Sequence, residues 1–179
     1  MENSSKMKTI ILCLTSILLA GTLAGQTIFK SHKYGYSFTI PSGWRIKDNI
    51  VVPGTDVKIV DDKGNSFIVS VNQLPAEYKY TTTKNLLEKA TDQELIEIWA
   101  AAYDNAYILK RGITIVGGKD FYFVHMSYPF EGNLRLIHKM FMYNWKGYSF
   151  SIDCASISSM TAETSVYFDV MLETFRFPK

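Results

Sequence analysis

His138 and Cys154 are the two residues whose types could make a nucleophile and its base. The sequence around Trp145-Lys146-Gly147 predicts a three-residue hairpin loop with Gly147 in the left-handed position. That loop sets Asn144 opposite Tyr148 and His138 opposite Cys154. One face then collects Leu134, Leu136, His138, Met140, Met142, Tyr148, Phe150, Ile152 and Cys154, while the other places Lys139 across from Asp153. A working thiolate needs an exposed, electropositive setting. An apolar face is not one, so His138 and Cys154 read as neighbouring core residues.

The other chemical candidates weaken in the same way. If Tyr128 pairs with Leu134, His125 falls opposite Ile137, and His125 and His138 point to opposite faces. Only His32 is then left, and no metal site is expected. Asp61, Asp62 and Asn65 miss the spacing of a calcium loop and read as a hairpin turn. Gly117-Gly118-Lys119 lacks the following Ser/Thr and the strand–loop–helix context of a phosphate loop. No G-x-S-x-G elbow exists. Glu94 and Glu97 read as a helix cap and a solvated face. No catalytic residue and no cofactor are expected. The side chains left for recognition are loop aromatics, Tyr78, Tyr80, Phe130 and Trp145, as candidate contacts to a protein partner.

The elements that hold these residues follow from periodicity. Tyr36 to Ile40 alternates up to Pro41 and reads as a strand, and Trp44 and Ile46 resume extended chain, with Ile50-Val51-Val52 as a short continuation. Val57 to Val60 and Ser66 to Leu74 flank an Asp-rich turn as a hairpin. Lys84 to Ala90 predicts a helical turn or two. Thr91 with Glu94 is a capping box, and Leu95, Ile98, Trp99 and Ala102 at helical spacing predict a helix over Asp92 to Ala106. Four strands follow, from Tyr107, Phe121, Leu134 and Tyr148. Their short loops imply an antiparallel meander. Thr161 then caps a last helix through Thr174, with Val166, Val170, Met171 and Phe175 facing inward.

The N-terminus has another purpose. Lys6 and Lys8 precede an apolar run from Thr9 to Leu19, and small residues follow to Gly25, the order of a secretory signal peptide. Thr22 and Ala24 suit cleavage after Ala24, with Gly25 as the alternative, so residues 1–24 are expected to be a signal peptide and 25–179 a single domain. A membrane is met only through the signal segment, if it stays uncleaved. Export to the periplasm or beyond is the expected location. Cleavage removes Lys6, Lys8 and Glu2, leaving 17 basic and 16 acidic residues, about +1, with no basic field for nucleic acid. It also removes Cys13, so Cys154 has no internal disulfide partner.

Tyr34-Gly35-Tyr36-Ser37-Phe38-Thr39-Ile40-Pro41-Ser42-Gly43-Trp44 resembles the opening of the PsbP/DcrB-like domains: an aromatic-rich strand, then Pro, a small residue, Gly and Trp. The close is similar too, a strand from Tyr148, a polar loop and a helix ending in Phe175-Arg176-Phe177. The resemblance implies an α+β fold: a central antiparallel sheet with helices on both faces, an α/β/α sandwich. It implies no shared catalytic residues. Family members serve as a photosystem II subunit, an envelope protein and a Ran-binding factor, so the implied role is a binding or accessory module with an envelope protein as partner. Two other functions stay open. One is a small-molecule or lipid carrier, its pocket between sheet and helix lined by Met126, Met140 and Met142. The other is an enzyme with a dispersed site.

Overall fold

The computed structural model describes residues 25–48, 53–87, 89–101 and 103–178. The expected signal segment and Ile50-Val51-Val52 lie outside them. The chain opens with β1 (Thr27–Lys30) and β2 (Ser37–Ile40), an antiparallel pair. It continues through β3 (Arg45–Ile46), β4 (Thr55–Val60) and β5 (Ser66–Gln73). Two short helices follow, α1 (Thr83–Leu87) and α2 (Asp92–Trp99). Then come β6 (Tyr107–Val116), β7 (Lys119–Pro129), β8 (Arg135–Trp145), β9 (Tyr148–Ile157) and α3 (Thr161–Glu173).

The order β3-β4-β5-β9-β8-β7-β6 makes one seven-stranded sheet, antiparallel throughout. Turns of two residues bind β6 to β7 and β8 to β9 locally. The β5–β9 pairing is the long-range join between the two halves. β7 is buried over nearly its whole length because both faces of the sheet are covered. On one face Phe67, Phe121, Phe141, Phe150 and Ile152 pack with Tyr36, Phe38, Phe168, Met171 and Phe175. On the other, Tyr122, Val124, Met126, Tyr128, Met140 and Met142 pack under Leu95, with Leu87 and Trp99 at the edge. The fold is therefore α+β, with helices on both faces of a central antiparallel sheet.

Several local expectations need correction. The β8–β9 loop is two residues, not three: Trp145 pairs with Tyr148, and Lys146 and Gly147 both have positive φ, 49° and 80°. Lys139 therefore faces Cys154, and His138 faces Ala155. His138 and Cys154 lie on opposite sides of the sheet, and so do Lys139 and Asp153. The three-residue loop followed from requiring a single apolar face. A sheet packed on both sides imposes no such requirement.

α2 stops at Trp99 rather than Ala106. Ala100 leaves helical geometry, and Tyr103 turns to stack on Tyr128 with ring centroids 4.1 Å apart. The capping box is present, with Glu94 N–H donating to Thr91 Oγ1 at 3.2 Å and Thr91 N–H to Glu94 Oε2 at 2.7 Å. In α3 the inward residues are Thr164, Phe168 and Met171, while Val166 faces solvent. Thr161 does not cap that helix. A 3₁₀ turn, Ser158–Met160, leads into it, and the Thr161 hydroxyl donates back to Ile157 O. Strand β1 was not anticipated, since Ile28 is exposed and little apolar pattern marks it.

Candidate functional site

The helical layers are offset. α1 and α2 cover β6 to β8 on one face, and α3 lies toward β9 and the β1–β2 hairpin on the other. Each face keeps an uncovered part, and each uncovered part holds a histidine.

On the face of α2, a cavity of about 300 Å³ is lined by Lys58, Ser66, Ser70, Tyr128, His138 and Asp153, among others. His138 Nε2 lies 3.2 Å from Asp153 Oδ1, and its Nδ1 lies 3.4 Å from the Tyr128 hydroxyl. The Ser151 hydroxyl donates to Asp153 Oδ2 at 2.5 Å. Burial, with the nearby Tyr103 and Asp153, pushes the Tyr128 phenol up to about 12. It therefore stays a proton donor. Ser151 is bonded to the carboxylate, not to the imidazole. The cluster thus has the members of a hydrolase triad but not its connectivity.

On the face of α3, cross-strand pairing places Lys110, His125 and Lys139 in one row over β6, β7 and β8. Burial, reinforced by Lys139 and Lys110, lowers the His125 imidazole to about 4, so the ring is neutral at neutral pH. It sits 4.9 Å from the Phe123 ring and 5.7 Å from that of Phe141, and its buried Nε2 has no hydrogen-bond partner. Lys139 Nζ donates to Ser165 of α3 at 2.8 Å. Asp169 and Glu173 continue the ridge of Ser165 at helical i+4 spacing. Between row and ridge lies an open cleft of about 350 Å³.

The opposite facing of His125 and His138 is as expected, although His125 pairs with Lys139 rather than Ile137. The β7–β8 connection is longer than expected: Phe130 N–H bonds to Leu134 O, outside a tight turn closed by Leu134 N–H to Glu131 O. That shift of two residues preserved the facing but hid the Lys110–His125–Lys139 row from sequence reasoning. Cys154 is fully buried, and burial holds its thiol well above the usual range. Asp61 does make the hairpin turn, its Oδ1 accepting from the N–H groups of Lys63 and Asn65. Gly117 and Gly118 form the β6–β7 turn, both with positive φ. Met126, Met140 and Met142 are buried in the core beneath α2, where methionine commonly fills gaps.

The four loop aromatics fall into two groups. Tyr78 and Tyr80 project from the connector after β5, Tyr80 with 89% of its surface exposed. That connector is pinned to the β8–β9 turn by Leu74 N–H to Gly147 O and by Asn144 Nδ2 to Thr81 O, both 2.9 Å. Trp145 ends β8 at the same turn, half-buried, with its ring on the opposite face of the sheet from Asn144 and against Phe150 and Phe177. Phe130 lies at the other end of β8, roughly 30 Å away at the rise of an extended strand.

An antiparallel sheet covered by helices on both faces defines the architecture. Solved structures specify it further. Cyanobacterial PsbP (CyanoP) of Synechocystis sp. PCC 6803 superposes with a TM-score of 0.65 at 17% identity, over 87% of this chain and 94% of that one. LpqN of Mycobacterium tuberculosis, described as involved in cell envelope biogenesis, gives 0.56 at 11% identity, over 86% and 91%. The Ran-binding protein Mog1p of Saccharomyces cerevisiae gives 0.56 at 9%, over 86% and 95%. The chain has the PsbP fold. No protein-family model matches the sequence, and no curated protein matches it. Among the described residues, no helix is long and apolar enough to cross a membrane.

Proposed function

We propose that this chain is an exported, non-enzymatic accessory module that binds another protein of the cell envelope. The observation that carries the reading is the pair of exposed phenol rings, Tyr78 and Tyr80, on a connector fixed to the β8–β9 turn beside Trp145. Exposed tyrosines on a fixed backbone offer apolar area and a hydroxyl with little ordering cost, the usual character of a protein-binding patch. Phe130 supplies a separate contact at the opposite end of the sheet. The signal-like N-terminus supports export. An accessory role also accords with the solved structures of similar fold, one a Ran-binding protein and one tied to envelope biogenesis.

The test is crosslinking of the tagged full chain in its own cells. One envelope protein is expected in the capture, reduced roughly tenfold by Tyr78→Ala with Tyr80→Ala. Phe130→Ala reports on the far end separately. Capture unchanged by alanine at all four positions, Trp145 included, would remove the reading.

A further inference from the structure

The cleft between the β6–β8 row and α3 has a charge pattern that the protein-docking reading does not use. Its sheet wall presents the ammonium groups of Lys110 and Lys139, and its helix wall the carboxylates of Asp169 and Glu173. Among the described residues, none of these four is in an ion pair within 4.0 Å. Folded surfaces do not need such a pairing. Here, however, cations and carboxylates stand on opposite walls with an apolar floor between them, made by Phe123, Phe141 and Leu172. His125 Nε2 lies beneath that floor, closed off from solvent and without a hydrogen-bond partner.

We propose that this cleft binds a free amino acid with an aromatic side chain. The carboxylate of the ligand meets Lys110 and Lys139, and its ammonium meets Asp169 and Glu173. Its ring lies on Phe123 and Phe141. The cleft volume of about 350 Å³ sits at the small end of ligand sites, roughly 300–1,000 Å³. A fatty chain would leave the helix-wall carboxylates unmatched, and a simple anion would meet them as like charges. A zwitterion satisfies both walls. This inference goes beyond protein docking and does not depend on it, since the Tyr78–Tyr80 end contributes no residue to the cleft.

The test is isothermal titration calorimetry of the full chain with L-tyrosine at neutral pH. Saturable binding with a dissociation constant on the order of 0.1 mM is expected. Tyramine, without the carboxylate, and 3-(4-hydroxyphenyl)propionate, without the ammonium, should each bind at least about tenfold more weakly. Lys110→Gln should weaken tyrosine but not tyramine, and Glu173→Gln should weaken tyrosine but not the propionate. Both residues are exposed, so the variants keep the fold, which circular dichroism verifies. No saturable heat from L-tyrosine up to its solubility overturns the proposal. So does tyrosine binding that is matched by either analogue or unchanged by both substitutions.

Discussion

The ring of Tyr36 lies 5.0 Å from that of Phe175 and within 12° of parallel. Tyr36 precedes β2 and Phe175 follows α3, so this stack ties one end of the described chain to the other. Backbone bonds support it: Ser37 N–H donates to Arg176 O at 3.0 Å, and Arg176 N–H to Ser37 O at 2.8 Å. The Tyr36 hydroxyl donates to Asp56 Oδ2 at 2.7 Å, so the ring is fixed at both ends.

Phe175 also stacks on Phe38 and meets Phe177 edge-on. Phe175→Ala should therefore cost about 3–5 kcal/mol, the range for emptying a buried aromatic site. Urea unfolding would give that as a lower midpoint at unchanged slope. A loss below about 1 kcal/mol would mean that the terminal segment is not docked as described.

His125 makes stability depend on pH. Its folded value of about 4 lies below the ordinary 6.5, so the unfolded chain takes up the proton first as pH falls. The stabilisation is present above about pH 6.5 and is lost as pH drops toward 4. Between pH 7 and 5 the loss should be about 1 kcal/mol, reduced from a full linkage of roughly 2 because the ring is partly solvated. His125→Gln should flatten that slope in urea titrations. An unchanged slope would assign the pH dependence to other groups.

Cys154 should be chemically silent in the folded chain. With Cys13 replaced by Ser, a thiol reagent should label Cys154 only at the rate of unfolding, because burial disfavours the thiolate and blocks access. Prompt labelling of folded protein would contradict that burial.

Gly117 and Gly118 separate strain from crowding. Both have positive φ, 58° and 75°. A methyl group at Gly118 meets nothing within 4 Å, whereas one at Gly117 comes within 3.0 Å of the Phe175 carbonyl oxygen. Gly118→Ala should cost about 1 kcal/mol from backbone strain alone. Gly117→Ala should cost about 1 kcal/mol more, as the turn is pushed off the terminal segment. Equal losses in thermal unfolding would deny the contact between that turn and Phe175.

Much was legible because it is local. The capping box at Thr91 and Glu94, the Asp61–Asn65 turn and the glycine turn at Gly117-Gly118 rest on side chains and φ values a few residues apart. Strand content followed from β-branched and aromatic runs. The α/β/α layering was implied by the resemblance at Tyr34–Trp44 and Phe175–Phe177, and the order of strands and helices agreed with it.

The tertiary structure decided which face each residue meets. A register slip of one residue sends a side chain through the sheet, and a sheet buried on both sides gives no hydrophobic penalty to reveal the error. Hence Cys154 proved to face Lys139 and not His138. Asp153 found His138, and Lys139 found Ser165 of α3. The Lys110–His125–Lys139 row and the Asp169–Glu173 ridge come from elements far apart in sequence. Only the packing of α3 against one half of the sheet, which leaves the other half open, brings their charges across one cleft.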